Sequence, residues 1–180
     1  MRAEPRGPCA ACWIRAGTVL TRREPIDLAA VAFAALRTHD LSAFSSTVDL
    51  EEAWTTGHPD LLALLAANLV SNAIQHNVVG GKIEMATRAE SGRAVLSVAN
   101  SGPRIPPGEL QRLFQPFQRL ASDSPDTAGG VGLGLPIVQM IAEAHAAKVT
   151  ARAQTDGGLE IDVWLPAACR SGRPGPPARR

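Results

Sequence analysis

The sequence predicts an α/β two-layer sandwich, with a mixed, mostly antiparallel sheet and its helices on one face. Three observations lead there. Strand-period runs stand in neighbouring pairs, Lys82 to Arg88 with Ala94 to Val98 and Lys148 to Gln154 with Leu159 to Leu165, each joined by a glycine-containing turn. Segments with helical spacing lie between those pairs, so the chain is neither a pure ladder of hairpins nor a strict strand–helix alternation. The bulk composition suits one core of ordinary size: 180 residues, 45% hydrophobic and 19% charged.

In chain order, residues 1–24 hold Pro5, Gly7, Pro8 and Gly17 and read as a flexible tail or linker. The folded part is expected over 25–166. Asp27 is placed to cap a helix over Leu28 to Arg37. Ser45 to Glu52 reads as extended. Asp60 is the candidate cap of a second helix, Leu61 to about His76. The first strand pair turns at Glu90-Ser91-Gly92. Pro106 and Pro107 suit the first turn of a short helix through Leu113. Residues 121–131, rich in Ser, Asp, Pro, Thr and Gly, predict a mobile loop. Gly134 to His145 has helical spacing, and Asp156-Gly157-Gly158 turns the last hairpin. Residues 167–180, rich in Pro, Gly and Arg, are expected to be a disordered tail.

Several function classes fall away at this point. The formal net charge of +1 does not call for nucleic acid or an anionic membrane as main partner. No stretch reaches the roughly eighteen apolar residues that a membrane span needs, and Met1-Arg2-Ala3-Glu4-Pro5 lacks the apolar core of a signal peptide. A soluble, cytoplasmic chain is expected. Cys9 and Cys12 have metal-like and redox-like spacing. A zinc site needs two further ligands, and neither Cys169 nor a nearby His supplies them, so free thiols in a flexible end are the expectation.

Three segments carry chemistry. In Asn68-Leu-Val-Ser-Asn72-Ala-Ile-Gln75-His76-Asn77, positions 68, 72, 75 and 76 form one stripe on a helix beside Leu61, Leu62, Leu65, Leu69 and Ile74. A neutral amide oxygen is a reasonable magnesium ligand when phosphates bring the charge. The same stripe on its own also fits a solvent-facing surface. Asn100-Ser101-Gly102-Pro103-Arg104-Ile105-Pro106 follows a strand and sets a polar side chain at its end, where a base can be read; an ordinary Gly-Pro turn fits equally. Gly129, Gly130, Gly132 and Gly134 stand within six residues, directly before a helix. Glycine lets backbone N–H groups approach phosphates, and a helix N-terminus favours anions. No Lys-Ser/Thr follows, so this is not a Walker A loop.

Together, in this order, the segments resemble the catalytic ATP-binding domain of sensor histidine kinases, within the superfamily shared with type II topoisomerases, mismatch-repair ATPases and heat-shock chaperones. The resemblance covers residues 25–166. Asn68 to Asn77 is similar to the family's N box and Asn100 to Gly102 to its first glycine box. Leu113-Phe114-Gln-Pro-Phe117-Gln-Arg119 is similar to its F box and Gly130 to Leu135 to its second glycine box. The resemblance implies a Bergerat-type ATP-binding fold that takes ATP and Mg2+. Asn72 is implied as the magnesium ligand, with Asn68 supporting the metal and phosphates. Gln75, His76, Asn100, Gly102, Ile105 and Phe117 are implied around the nucleotide, with Gly130, Gly132, Leu133, Gly134 and Leu135 at the phosphates. Phe114 and Phe117 are expected to anchor a lid over 118–131, and Arg119 to approach the terminal phosphates.

The sequence also departs from the family pattern. Asn100 stands where an Asp usually meets the adenine amino group; its amide oxygen accepts the same bond without the charge. Arg104 replaces a usual glycine, and Gln75 a usual basic residue. At position 68 the hydrolases and the anti-sigma-type serine kinases carry Glu as general base. Asn68 cannot take a proton, whereas a neutral imidazole already offers a lone pair. The resemblance therefore implies transfer to histidine rather than hydrolysis.

None of His39, His58, His76 and His145 sits in the setting of a phosphoacceptor, and a dimeric helical hairpin does not fit before Pro25. The expectation is transfer in trans to a separate protein bearing the acceptor His, with relay to a response regulator and no autophosphorylation in cis. A piece of a longer kinase, a non-catalytic nucleotide-binding regulatory module and an anti-sigma-type serine kinase remain as alternatives.

Overall fold

The computed structural model describes residues 22–106, 108–115 and 132–168. The predicted tails beyond these limits, Cys9, Cys12 and Cys169, the 121–131 loop and the proposed lid lie outside the described residues.

Strand β1 (Glu24–Asp27) leads into helix α1 (Leu28–Arg37), followed by β2 (Ser45–Leu50), β3 (Trp54–Gly57) and helix α2 (Pro59–Gln75). The hairpin of β4 (Lys82–Glu90) and β5 (Arg93–Asn100) comes next, then a 3-10 turn (Leu110–Phe114). Helix α3 (Gly134–Ala144) and the hairpin of β6 (Lys148–Ala153) and β7 (Leu159–Pro166) complete the described fold. The five-stranded sheet has the order β2-β4-β5-β7-β6. Only β2, beside β4, runs parallel to its neighbour, which makes the sheet mixed and mostly antiparallel.

The alternation read along the strands sorts their side chains. Ile83 and Met85 of β4, Leu96 and Val98 of β5 and Ile161, Val163 and Leu165 of β7 face the helices. There they bury with Leu28 and Ala32 of α1, Leu62, Leu65, Leu69 and Val70 of α2, and Val138 and Ile141 of α3. The opposite face is mixed, with Val95 and Ala99 of β5 buried beneath polar groups of the neighbouring strands. Arg152 reaches both Glu160 (3.0 Å) and Asp162 (2.8 Å), Trp164 Nε1 donates to Thr150 Oγ1 (3.2 Å), and Arg88 stacks over the Trp164 ring.

The structure adjusts several boundaries. Asp27 caps α1 as expected, its Oδ1 accepting from Ala29 N (3.1 Å), and it also accepts from Ala53 N (3.0 Å). Helix α2 starts at Pro59 after His58, ahead of the expected cap Asp60. Proline at the first position needs no N–H partner, and Asp60 then lies in the first turn, where its charge suits the helix dipole. The β4–β5 turn is tighter than expected. Ser91 (φ 49) and Gly92 (φ 72) both take the left-handed conformation that a type I′ hairpin turn requires. The helix expected from Pro106 forms only at Leu110, because Gly108 has φ +91 and interrupts the helical path.

The β1–β3 ribbon was not legible in the sequence. Its antiparallel register runs from Glu24↔Gly57 to Asp27↔Trp54. It joins the end of β7 through the Thr55↔Ala167 bridge, Thr55 Oγ1 to Pro166 O (2.8 Å) and Ala168 N to Trp54 O (2.9 Å). Ordered backbone thus extends on both sides of the expected 25–166 limits.

Candidate functional site

Helix α2 presents two faces. Leu62, Leu65, Ala66, Leu69, Val70 and Ala73 are buried, while Asn68, Asn72 and Gln75 line a half-buried flank and His76 forms the C-cap. Asn68 Nδ2 donates to the carbonyl of Leu64 one turn back (2.8 Å), which fixes the amide and leaves Oδ1 pointing away from its own helix. A Cβ placed on Gly134 would lie 3.5 Å from that oxygen. The stripe on α2 and the start of α3, far apart in sequence, therefore meet. The Asn72 amide has no hydrogen-bond partner among the described residues.

Helix α3 opens in a form suited to an anion. Gly132 has φ +69, Leu133 supplies no side-chain cap, and the first helical bond is Ile137 N to Leu133 O (3.0 Å). Pro136 has no N–H. The amides of Gly134 and Leu135 therefore have no intrahelical acceptor, and the positive end of the helix dipole coincides with them. The Leu135 side chain is buried in the core, so only its backbone is available to a ligand.

The third wall is the exit of β5. Asn100 is 5% exposed. Its Nδ2 donates to Ser101 O (2.6 Å) and lies 3.4 Å from His76 O, tying the end of β5 to the end of α2. Gly102 makes this approach feasible, since a Cβ there would fall 2.6 Å from His76 O. Ile105, Leu113 and Phe114 pack partly buried against the core beside this wall. Arg104 is exposed. Phe117, Arg119 and Gly130 lie outside the described residues.

The sequence reading missed two contributors. Gly157 (φ +98) and Gly158 (φ +105), taken only as a hairpin turn, are pressed onto the β5 exit. Their absent Cβ atoms would meet Gly102 O at 2.4 Å and Asn100 O at 2.0 Å. Gly158 N donates to Pro103 O (3.1 Å). The hairpin thus supports the Asn100 loop from behind. The available signal was the doubled glycine, since one left-handed residue is enough for many such turns.

Among the described residues no group of three or more His, Cys, Asp or Glu is placed to hold a metal. A cation at this site would rest on amide oxygens and on charge brought by its ligand. No described helix is long and apolar enough to cross a membrane.

Residues 57–168 match the family described as histidine kinase-, DNA gyrase B-, and HSP90-like ATPase. The chain is 41% identical over 157 residues to the sensor protein CutS of Streptomyces coelicolor, covering 84% of this chain and 38% of that protein. It is 32% identical over 153 residues to the sensor protein kinase PmrB of Pseudomonas aeruginosa, covering 82% of this chain and 32% of that one. The chain thus spans well under half the length of these curated relatives. Among solved structures, the mycobacterial sensor histidine kinase MprB superposes with a TM-score of 0.70 at 26% identity, covering 81% of this chain and 97% of that one. Full-length ShkA in complex with AMPPNP shares the fold, with a TM-score of 0.70 at 20% identity over 88% of this chain and 35% of that one. With Asn68 of α2 beside Gly134 at the start of α3, the chain belongs to the histidine kinase-, DNA gyrase B- and HSP90-like ATPases and is the ATP-binding catalytic domain of a sensor histidine kinase.

Proposed function

We propose that this domain binds Mg-ATP between α2, the exit of β5 and the start of α3, and transfers the γ-phosphate in trans to a histidine on a separate protein, a dimeric helical hairpin that passes it to a response regulator in the cytoplasm. The observation that supports this reading is the apposition of Asn68 Oδ1 and Gly134, which brings an amide oxygen of α2 beside the start of α3, where the N–H groups of Gly134 and Leu135 have no acceptor within their own helix. The donor set fits magnesium. Asn72 offers a half-buried amide oxygen with no competing partner among the described residues, one turn from Asn68, and a hard oxygen suits a small hard cation whose charge the phosphates balance. Bound there, magnesium would neutralise charge on the transferring phosphate.

The chain's own residues then have distinct tasks. Backbone N–H groups of Gly134 and Leu135 hold phosphate oxygens. Asn100 orients the base. Arg119 is the cation assigned to the terminal phosphate. Asn68 cannot act as a base, which suits an acceptor imidazole that already has its lone pair.

The four histidines support an acceptor elsewhere. His145 is buried with both ring nitrogens engaged, and His58 is largely buried. His39 Nδ1 is 2.9 Å from Ala35 O, and His76 closes the site helix. The test is transfer of labelled γ-phosphate from Mg-ATP to a purified helical-hairpin protein with a candidate acceptor His. Acid-labile, base-stable label on that protein supports the proposal. Failure to bind ATP would end it, and ATP binding without transfer to any such partner would leave a regulatory nucleotide module.

A further inference from the structure

Strand β2 forms one edge of the five-stranded sheet and β6 the other. An edge strand offers unpaired N–H and C=O groups to any strand that can lie beside it, and charged side chains or proline normally discourage this. β6 carries Lys148 and Arg152. β2, Ser45-Ser46-Thr47-Val48-Asp49-Leu50, has no proline and no basic residue, and its only charge is Asp49. Ser45 to Asp49 are all exposed, Val48 by 47%.

The direction of the free groups follows from the ladder. Ser45 N donates to Gly81 O (2.9 Å) and Glu51 N to Thr87 O (3.1 Å). Ser45, Thr47 and Asp49 therefore turn their backbone groups to β4, and Ser46, Val48 and Leu50 turn theirs outward. Among the described residues nothing pairs with these outward groups. Register with Met85 places the Val48 side chain on the helix side of the sheet, and register with Glu84 and Ala86 places Thr47 and Asp49 on the other.

We propose that β2 pairs antiparallel with β2 of a second copy of this chain, about a twofold axis at Val48, and joins the two sheets into one. In this register Val48 exchanges both backbone bonds with its counterpart, and Ser46 does so with Leu50, so every outward group finds a partner. The two Val48 side chains meet on the helix side. On the other face Thr47 stands opposite Asp49, so each carboxylate meets a hydroxyl. Neighbouring registers are poorer. A twofold axis at Thr47 would set Leu50 opposite Phe44, outside the partner strand, and one at Asp49 would oppose the two carboxylates. One short strand buries less than the about 1,200 Å² at which stable complexes begin, so the dimer is weak and dependent on concentration. None of this rests on the nucleotide site.

The test is sedimentation velocity of the 180-residue chain at roughly 10 μM and roughly 1 mM, concentrations that bracket weak association. Dimer is expected to accumulate at the higher concentration, and monomer at both would overturn the proposal. Three variants then read the position and the register. Thr47→Lys sets a cation opposite Asp49 and should tighten the dimer by about two- to fivefold per pair, while Thr47→Asp should weaken it as much. Position 47 is exposed, so both variants should keep the fold. Val48→Pro removes an outward N–H that β4 does not use and should abolish the dimer. A dimer that survives Val48→Pro, or that Thr47→Lys weakens, would overturn this pairing.

Discussion

The ring of His145 accepts the backbone N–H of His58 at 3.0 Å through Nε2, while its Nδ1 donates to the carbonyl of Ile141 at 2.8 Å. One imidazole thus fastens the end of α3 to the start of α2 and to the ribbon that precedes it. Gly57 packs against the ring so closely that a Cβ there would lie 2.7 Å from it. At the same end of α3, Arg23 donates to Ala144 O (2.9 Å).

The bond from His58 N requires a neutral ring, since Nε2 must keep its lone pair; burial, the largest influence, lowers the His145 pKa below its ordinary 6.5 against the opposing hydrogen bond to Ile141 O, and Arg23 and His58 push it down further. The unfolded chain therefore takes up this proton first as pH falls. Stability from this residue is fully present above pH 6.5 and is lost as pH drops from there toward the lowered native value. Thermal midpoints at pH 7.5 and pH 5.5 should fall more for wild type than for His145→Asn. Equal losses would remove His145 as the cause.

Asn72→Ala should separate binding from folding. The amide has no partner among the described residues, so stability should stay within about 0.5 kcal/mol of wild type, the usual range for such positions. Magnesium-dependent ATP binding or phosphotransfer should drop by an order of magnitude or more, roughly the effect of losing one charge-stabilising contact. Normal transfer by this variant would remove Asn72 from the metal site.

Gly134→Ala should do the same from the other wall. Among the described residues a Cβ there meets only Asn68 Oδ1, at an ordinary 3.5 Å, and the backbone is not left-handed. Alanine favours a helix over glycine by about 0.5–1 kcal/mol, so the variant should be at least as stable as wild type. Its methyl group nevertheless enters the cleft between α2 and α3, and nucleotide affinity should fall. Unchanged affinity would argue against phosphates at this helix start.

Gly158→Ala should lose both properties. Its Cβ would meet Asn100 O at 2.0 Å on a backbone with φ +105. Rigid backbone has no rotamer with which to yield, and a cost of about 3 kcal/mol or more is expected from strain and overpacking. Denaturant unfolding would measure it. A wild-type midpoint would show that the hairpin does not brace the Asn100 loop.

Much of this protein is determined by its sequence alone. The strand-like runs Lys82 to Arg88 and Leu159 to Leu165 place one side of each strand in the core, because successive side chains point to opposite faces, while the run Ala94 to Val98 lies in a strand buried on both faces. The order of asparagine stripe, strand-end turn and glycine-rich helix start also marks the cleft, since each segment carries its chemistry in local backbone geometry. Tertiary structure decided what depends on contact between distant segments. Strands β1 and β3, of four residues each, exist by pairing with one another and with the end of β7, and carry no periodic signal of their own. Gly157 and Gly158 matter because Asn100 and Gly102 lie against them, and the amide of Asn100 points as it does because two carbonyls from different elements converge on it. A hydrogen-bond direction is set by the partner across the gap, and only the fold supplies that partner.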